Sequence, residues 1–138
     1  MIKLVFATVA VVFALVAAPA GAAEKMLDAK SINAKIVLLL EDVDTFEGGI
    51  KTLTREISSY AEEPKEGNIR KAMRIMDTFH QIKLIFFDRK MKLESLVEAV
   101  GGEISPEAAA AVEKFGNLTA DFEGVYYPEA SASFKLVK

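Results

Sequence analysis

The sequence predicts an all-α protein, an antiparallel helical bundle of two long helices plus a shorter third. Apolar residues recur at alternating spacings of three and four over two long segments, which is the period of one helix face. A polar turn separates these segments, and Pro and Gly residues mark helix ends. No strand-like alternation of apolar and polar residues extends beyond a few positions.

The first segment, residues 1–23, has the pattern of a secretory signal peptide. Lys3 precedes an apolar run from Leu4 to Ala18, and small residues follow. This run is shorter than the roughly 20 residues with which a helix spans a bilayer. We therefore expect a secreted protein that is not integral to a membrane, extracellular or in a cell wall, or periplasmic if bacterial. Residues 24–138 are then expected to form one helical bundle domain.

The first predicted helix runs over about residues 28–61. Asp28 or Ser31 can cap its start. Gly48 and Gly49 lie in its middle, and each glycine costs about 1 kcal/mol relative to alanine, so the helix is predicted either to continue through this pair or to break there. Its apolar face comprises Ala29, Ile32, Ile36, Leu39, Val43, Phe46, Ile50, Leu53, Ile57 and Tyr60.

The second predicted helix covers about residues 68–100, with Asn68 as its cap and the glycine pair beginning at Gly101 as its stop. Arg89 alone interrupts its apolar face, and we expect this side chain to pair with an acid or to extend to solvent. The face comprises Ala72, Ile75, Phe79, Ile82, Phe86, Leu93, Leu96 and Val100.

The third predicted helix covers about residues 105–124, and the tail 125–138 is ambiguous. Ser105 is its cap and Pro106 its first residue. A helix this short cannot cover two long helices along their whole length, so we expect some apolar surface to stay open. Its apolar face comprises Ala108, Ala111, Phe115, Leu118, Phe122 and Val125.

The second helix carries a further apolar line beside its main face. Asp77 fills the one polar place in this line, whose spacing is again four and three. Three interpretations remain open: a core position between the two other helices, a cavity or groove for an apolar ligand, or a self-association surface. Methionine and phenylalanine suit the second, because they adapt to varied shapes. The line comprises Met73, His80, Leu84, Phe87 and Met91.

Composition excludes several kinds of site. Without cysteine there is no disulfide, thiolate zinc site or iron–sulfur cluster, and a formal net charge of −3 gives no basic excess for nucleic acid. Asp77 and the only histidine, His80, are too few to hold a metal ion, and bundle di-metal sites use two Glu-x-x-His motifs, which this sequence lacks. Further ligands would have to come from Glu41, Asp42, Asp44 and Glu47. We therefore predict no metal, no cofactor and no enzymatic activity.

Residues 36–82 resemble the helical domain of fungal hydrophobic surface-binding proteins and related cell-wall mannoproteins. The resemblance implies a secreted, non-catalytic helical module that adsorbs to hydrophobic surfaces or holds lipid between its helices. It is carried by Ile36, Val43, Phe46, Ile50, Leu53, Ile57 and Tyr60, then a polar turn, and then Ile69, Ala72 and Ile75.

These observations lead to one expected function and one alternative. We expect a secreted, non-catalytic module that binds an apolar small molecule, such as a fatty acid, or a hydrophobic surface, including a membrane surface. In the alternative, the further apolar line of the second helix closes a homodimer. Asn117 begins a glycosylation sequon that matters only in a eukaryotic secretory pathway.

Overall fold

The computed structural model describes residues 28–63 and 65–137. Of these residues 93% are helical and none is in a strand, which confirms the predicted all-α helical bundle. The predicted signal peptide lies outside the described residues. Within the part that is described, no helix combines the length and the apolar character needed to cross a membrane.

The helices follow one another with short interruptions. They are α1 (Ala29–Leu39), α2 (Val43–Glu62), α3 (Glu66–Val100), a 3-10 turn (Gly101–Glu103), α4 (Pro106–Asp121), a π-helical turn (Phe122–Tyr126) and α5 (Tyr127–Val137).

The first predicted helix is interrupted at residues 40–42 rather than at the glycine pair, which lies inside α2. Asp28 caps α1 as predicted, because its carboxylate accepts a hydrogen bond of 2.9 Å from the backbone N–H of Ser31. Leu39 and Leu40 are both buried. Adjacent residues on a regular helix point about 100° apart, so the end of α1 at Leu39 is consistent with burial of both side chains. The turn after Leu39 also presents Asp42 to a buried arginine, which no local propensity predicts.

The start of α3 corrects one prediction, and its end confirms another. The helix begins at Glu66, so Asn68 lies within the first turn, where its side-chain amide donates to the carbonyl oxygen of Glu63 (2.8 Å). It ends at Val100, where Gly101 adopts a φ of 59°, a left-handed conformation in which glycine avoids the Cβ clash. The predicted main face of this helix is buried along its whole length.

The third predicted helix does not end at residue 124. Ser105 caps α4 as predicted, since its hydroxyl accepts from the N–H of Ala108 (3.1 Å). The chain then widens into a π-helical turn and continues as α5, so that the third helical segment has 32 residues and is not short. Pro128 explains the widening, because a proline ring clashes with the carbonyl four residues earlier in a regular α-helix. Val125, predicted to be buried, is exposed as a result of this change of phase.

The contacts divide the chain into two compact units. Among the described residues, one unit contains 28–42 and Asp88–Phe115, and the other contains 43–63, 65–87 and 116–137. The boundary between Phe87 and Asp88 falls inside α3. The expectation of one domain over residues 24–138 stays a prediction.

The first unit is held by polar groups as well as by apolar ones. The predicted pairing of Arg89 is confirmed: its guanidinium has no exposed surface and contacts Asp42 through Nη1–Oδ1 (2.5 Å) and Nη2–Oδ2 (3.2 Å). Asn33 accepts from the N–H of Ser105 (2.9 Å) and donates to the carbonyl oxygen of Glu103 (3.0 Å). These bonds fix the turn that joins α3 to α4.

The second unit is built around aromatic side chains. Phe86 packs edge-on against Phe46 and Phe122, with ring centroids 5.3 Å and 5.4 Å away. Phe79 packs against Phe122 and Tyr127 at 5.6 Å and 6.3 Å. Within this unit α2 also packs along α5. The buried face of α3 therefore packs both against α2 and against the π-helical turn with the start of α5.

Candidate binding surface

The further apolar line of α3 faces solvent. Leu84 is 70% exposed, Phe87 65% and Met73 51%, and His80 and Asp77 are exposed beside them. We call Met73, Asp77, His80, Leu84 and Phe87 the outer stripe. Met91 follows one turn later on the same helix, belongs to the first unit and is 57% exposed. The structure thus places the further apolar line on an open face, and its role in binding stays a prediction.

The outer stripe stays open because both neighbours of α3 in the second unit pack on one arc of the helix. Ile82 is almost fully buried, whereas Leu84, two positions later and about 200° further round the helix, is exposed. One of the three interpretations left open, and one expectation, were wrong here. The third helix does not cover the further apolar line, and it is not short, so the predicted shortage of covering surface is not what leaves the stripe open.

His80 is positioned by Tyr127, which lies in the tail whose structure the sequence does not predict. The hydroxyl of Tyr127 lies 2.9 Å from Nδ1 of His80, and the two rings stack at 5.7 Å with an interplanar angle of 20°. Tyr127 directly follows the π-helical turn, and turns of this kind are often found at functional sites. The sequence shows a Tyr-Tyr-Pro motif here, but the motif alone does not indicate that Tyr127 contacts His80.

Cations flank the outer stripe on both sides. Arg70 and Arg74 are exposed along one edge of the helix, and Lys83 is exposed along the other. The ammonium group of Lys83 lies 5.6 Å from the ring centroid of Tyr127, within the range of a cation–π contact. The second unit therefore presents apolar side chains bordered by positive charge.

The acidic candidates for a metal site are not brought together with His80. Among the described residues, no group of three or more histidine or acidic side chains is arranged to hold a metal ion. Asp42 instead binds Arg89, and Glu47 forms a surface ion pair with Lys51 (3.3 Å). The prediction that the chain is not an enzyme is untested and stays a prediction.

The first unit also contains an open groove, of about 880 Å³, between α1 and the start of α4. Its lining includes the apolar residues Ala34, Val37 and Pro106 and the charged residues Lys30 and Glu107. None of the residues predicted to bind a ligand lines this groove. They lie on an exposed helix face instead.

Comparison with known proteins adds no relative. Neither the family models, nor the curated proteins, nor the solved structures match this chain. The resemblance to fungal hydrophobic surface-binding proteins therefore stays a prediction.

Proposed function

We propose that this chain is an exported, non-catalytic helical module that binds the surface of a lipid layer through the outer stripe of α3. One observation carries the proposal: large apolar side chains stand on the helix face opposite the core, with no described residue covering them. Single exposed apolar residues are ordinary on protein surfaces, but several on one face of one helix, as Met73, Leu84 and Phe87 are here, favour an interaction site.

The geometry favours a surface over an enclosed small molecule. A ligand pocket is concave and buries most of its ligand, whereas the outer stripe is an open, convex helix face. A helix that lies in a lipid interface presents Leu, Met and Phe to the acyl boundary and cations to the headgroups. Leu84 and Phe87 have the first property, and Arg70, Arg74 and Lys83 have the second.

The charges around the outer stripe favour an anionic layer, because its three flanking cations outnumber the one carboxylate within it, that of Asp77. The whole chain has a net charge of −3, so long-range attraction is absent, but the local cations act within a Debye length of about 8–10 Å. Each cation near an anionic headgroup contributes about 1 kcal/mol. Burial of a leucine or phenylalanine side chain contributes about 1.5–3 kcal/mol. Apolar contact is therefore the larger contribution, and charge selects among surfaces.

The test is flotation of the exported full chain with vesicles of phosphatidylcholine alone and of phosphatidylcholine with phosphatidylglycerol. We expect the chain to float with the anionic vesicles, and Leu84→Gln to weaken this binding about tenfold or more, because one buried apolar side chain is lost. Leu136→Gln is a matched control, since Leu136 on α5 is 71% exposed and Leu84 is 70% exposed. Absence of flotation, or equal losses for the two variants, would contradict the proposal.

A further inference from the structure

We propose that two copies of this chain also associate through their outer stripes, with the two α3 helices antiparallel. This goes beyond the proposed function, since the occupant of the surface is a second copy rather than a lipid layer. From Met73 to Phe87 the stripe repeats at four and three residues, the period of the a and d positions of a coiled coil. A two-fold dimer buries the same patch on both copies, so one stripe supplies both halves of the contact.

The charge inside the stripe selects the orientation. Asp77 occupies a seam position between Met73 and His80 rather than an edge position. In a parallel, in-register dimer each seam residue faces its own copy, so two Asp77 carboxylates would lose solvent side by side and repel each other. A parallel pairing is therefore disfavoured by the stripe's own sequence.

An antiparallel pairing with its two-fold axis between Asp77 and His80 replaces this repulsion with attraction. Asp77 then faces His80 of the second copy, and the contact occurs twice. The same register places Met73 against Leu84, both apolar, and Arg70 against the ring of Phe87, a cation–π pair. Moving the axis to lie between His80 and Leu84 would instead bury the Asp77 carboxylate against Phe87, which offers no donor. The register is thus fixed by one polar position.

His80 is held in place for this contact by a residue outside α3. Its ring stacks on Tyr127, and the tyrosine hydroxyl lies 2.9 Å from Nδ1 and 3.4 Å from Nε2. Tyr127 therefore restricts the imidazole that faces the Asp77 carboxylate of the second copy across the seam.

Sedimentation equilibrium of the exported full chain, without lipid or detergent, tests the association and its register. We expect a concentration-dependent dimer that Asp77→Lys and His80→Glu each weaken, and that the double variant restores, because its lysine and glutamate then face each other across the seam. Circular dichroism should be the same for all four proteins, since both positions are exposed. A wild-type monomer at every concentration, or a double variant no better than the singles, overturns the proposal.

Disulfide cross-linking gives a second test of the register. The chain contains no cysteine, so each introduced cysteine can pair only with another introduced one. A mixture of Met73→Cys and Leu84→Cys chains should cross-link, whereas either variant alone should not. In the proposed register two copies of position 73 lie about 16 Å apart along the seam, and a disulfide needs Cα atoms within about 7 Å. Cross-linking of Met73→Cys chains with themselves, without cross-linking of the mixture, overturns the antiparallel arrangement.

These experiments separate the two proposals, although both use one surface. The sedimentation and cross-linking measurements contain no lipid, so a monomer overturns the dimer and leaves vesicle binding standing. A chain that dimerises but does not float with vesicles overturns the proposed function alone.

Discussion

Arg89 and Asp42 form a buried ion pair between residues 47 positions apart in the chain. The arginine side chain has no exposed surface, and the aspartate side chain has only 12%. Both guanidinium Nη atoms contact the carboxylate, which is the fork geometry that makes arginine pairs specific. This pair accounts for the one charged position within the buried face of α3.

Removal of the aspartate should destabilise the protein more than removal of both charges. We expect Asp42→Ala to lower the free energy of unfolding by about 3–5 kcal/mol, because it leaves a buried arginine without its carboxylate. Arg89→Met together with Asp42→Ala should cost less, since a methionine stem fits an apolar face. Urea denaturation of the variants gives the comparison, and a double variant as unstable as Asp42→Ala would contradict this account.

Asn33 should contribute stability through the turn between α3 and α4. It is almost fully buried and makes one hydrogen bond to the N–H of Ser105 and one to the carbonyl of Glu103. Asn33→Ala leaves both backbone groups without this partner, so we expect a loss of about 1–3 kcal/mol in urea denaturation. Asn117→Ala, at an exposed position, should change stability by less than about 0.5 kcal/mol. Similar losses for the two variants would argue against the role of the turn.

Two phenylalanines on opposite faces of α3 should respond differently to truncation. Phe79 is fully buried among aromatic rings, whereas Phe87 is 65% exposed. Under conditions where the chain is monomeric, Phe79→Ala should cost about 3–5 kcal/mol and Phe87→Ala less than about 0.5 kcal/mol. Thermal and urea unfolding of the two variants measure this difference. A large loss for Phe87→Ala in the monomer would mean that the outer stripe is part of the core.

Two glycine-to-alanine substitutions should change the free energy of unfolding in opposite directions. Gly48 lies inside α2 with nothing within 4 Å of an added Cβ, so Gly48→Ala should stabilise the protein by about 0.5–1 kcal/mol. Gly101 has equal space, but its φ of 59° disfavours alanine, so Gly101→Ala should destabilise by about 1–2 kcal/mol. Differential scanning calorimetry of the pair checks both signs, and a destabilised Gly48→Ala variant would contradict the helical assignment there.

The cap of α1 should depend on pH. The N–H of Ser31 donates to the Asp28 carboxylate and lowers the pKa of Asp28 below its ordinary value of 3.8. A lowered folded-state pKa means that the cap stabilises α1 above pH 3.8 and loses this effect as the pH falls through the folded value. Asp28→Asn keeps a capping oxygen but does not titrate. Amide-exchange protection factors in α1, taken relative to the intrinsic exchange rate at each pH, should therefore fall in acid more for the wild type than for this variant, and equal falls would exclude the effect.

Local patterns predicted which residues are buried better than they predicted where helices stop. The residues predicted to form the main face of α3 are buried from Ala72 to Val100, because a spacing of three and four identifies one side of a helix. Gly48 and Gly49 were the only local signal for a break, yet the chain turns at residues 40–42, where Asp42 reaches a distant arginine. The continuation beyond residue 124 was missed, because a π-helical turn that accommodates Pro128 has no simple periodic signature.

The candidate surface was found in the sequence, but its exposure was not determined there. The spacing of Met73, Leu84 and Phe87 established that α3 has a second apolar side. Whether a neighbour covers that side depends on how aromatic residues far apart in the chain, such as Phe46 and Phe122, pack together on the first side. The sequence by itself therefore determined the helical class of the fold and the two apolar faces of α3. Only the tertiary structure decided which face meets solvent, because periodicity describes one helix and burial depends on contacts between several.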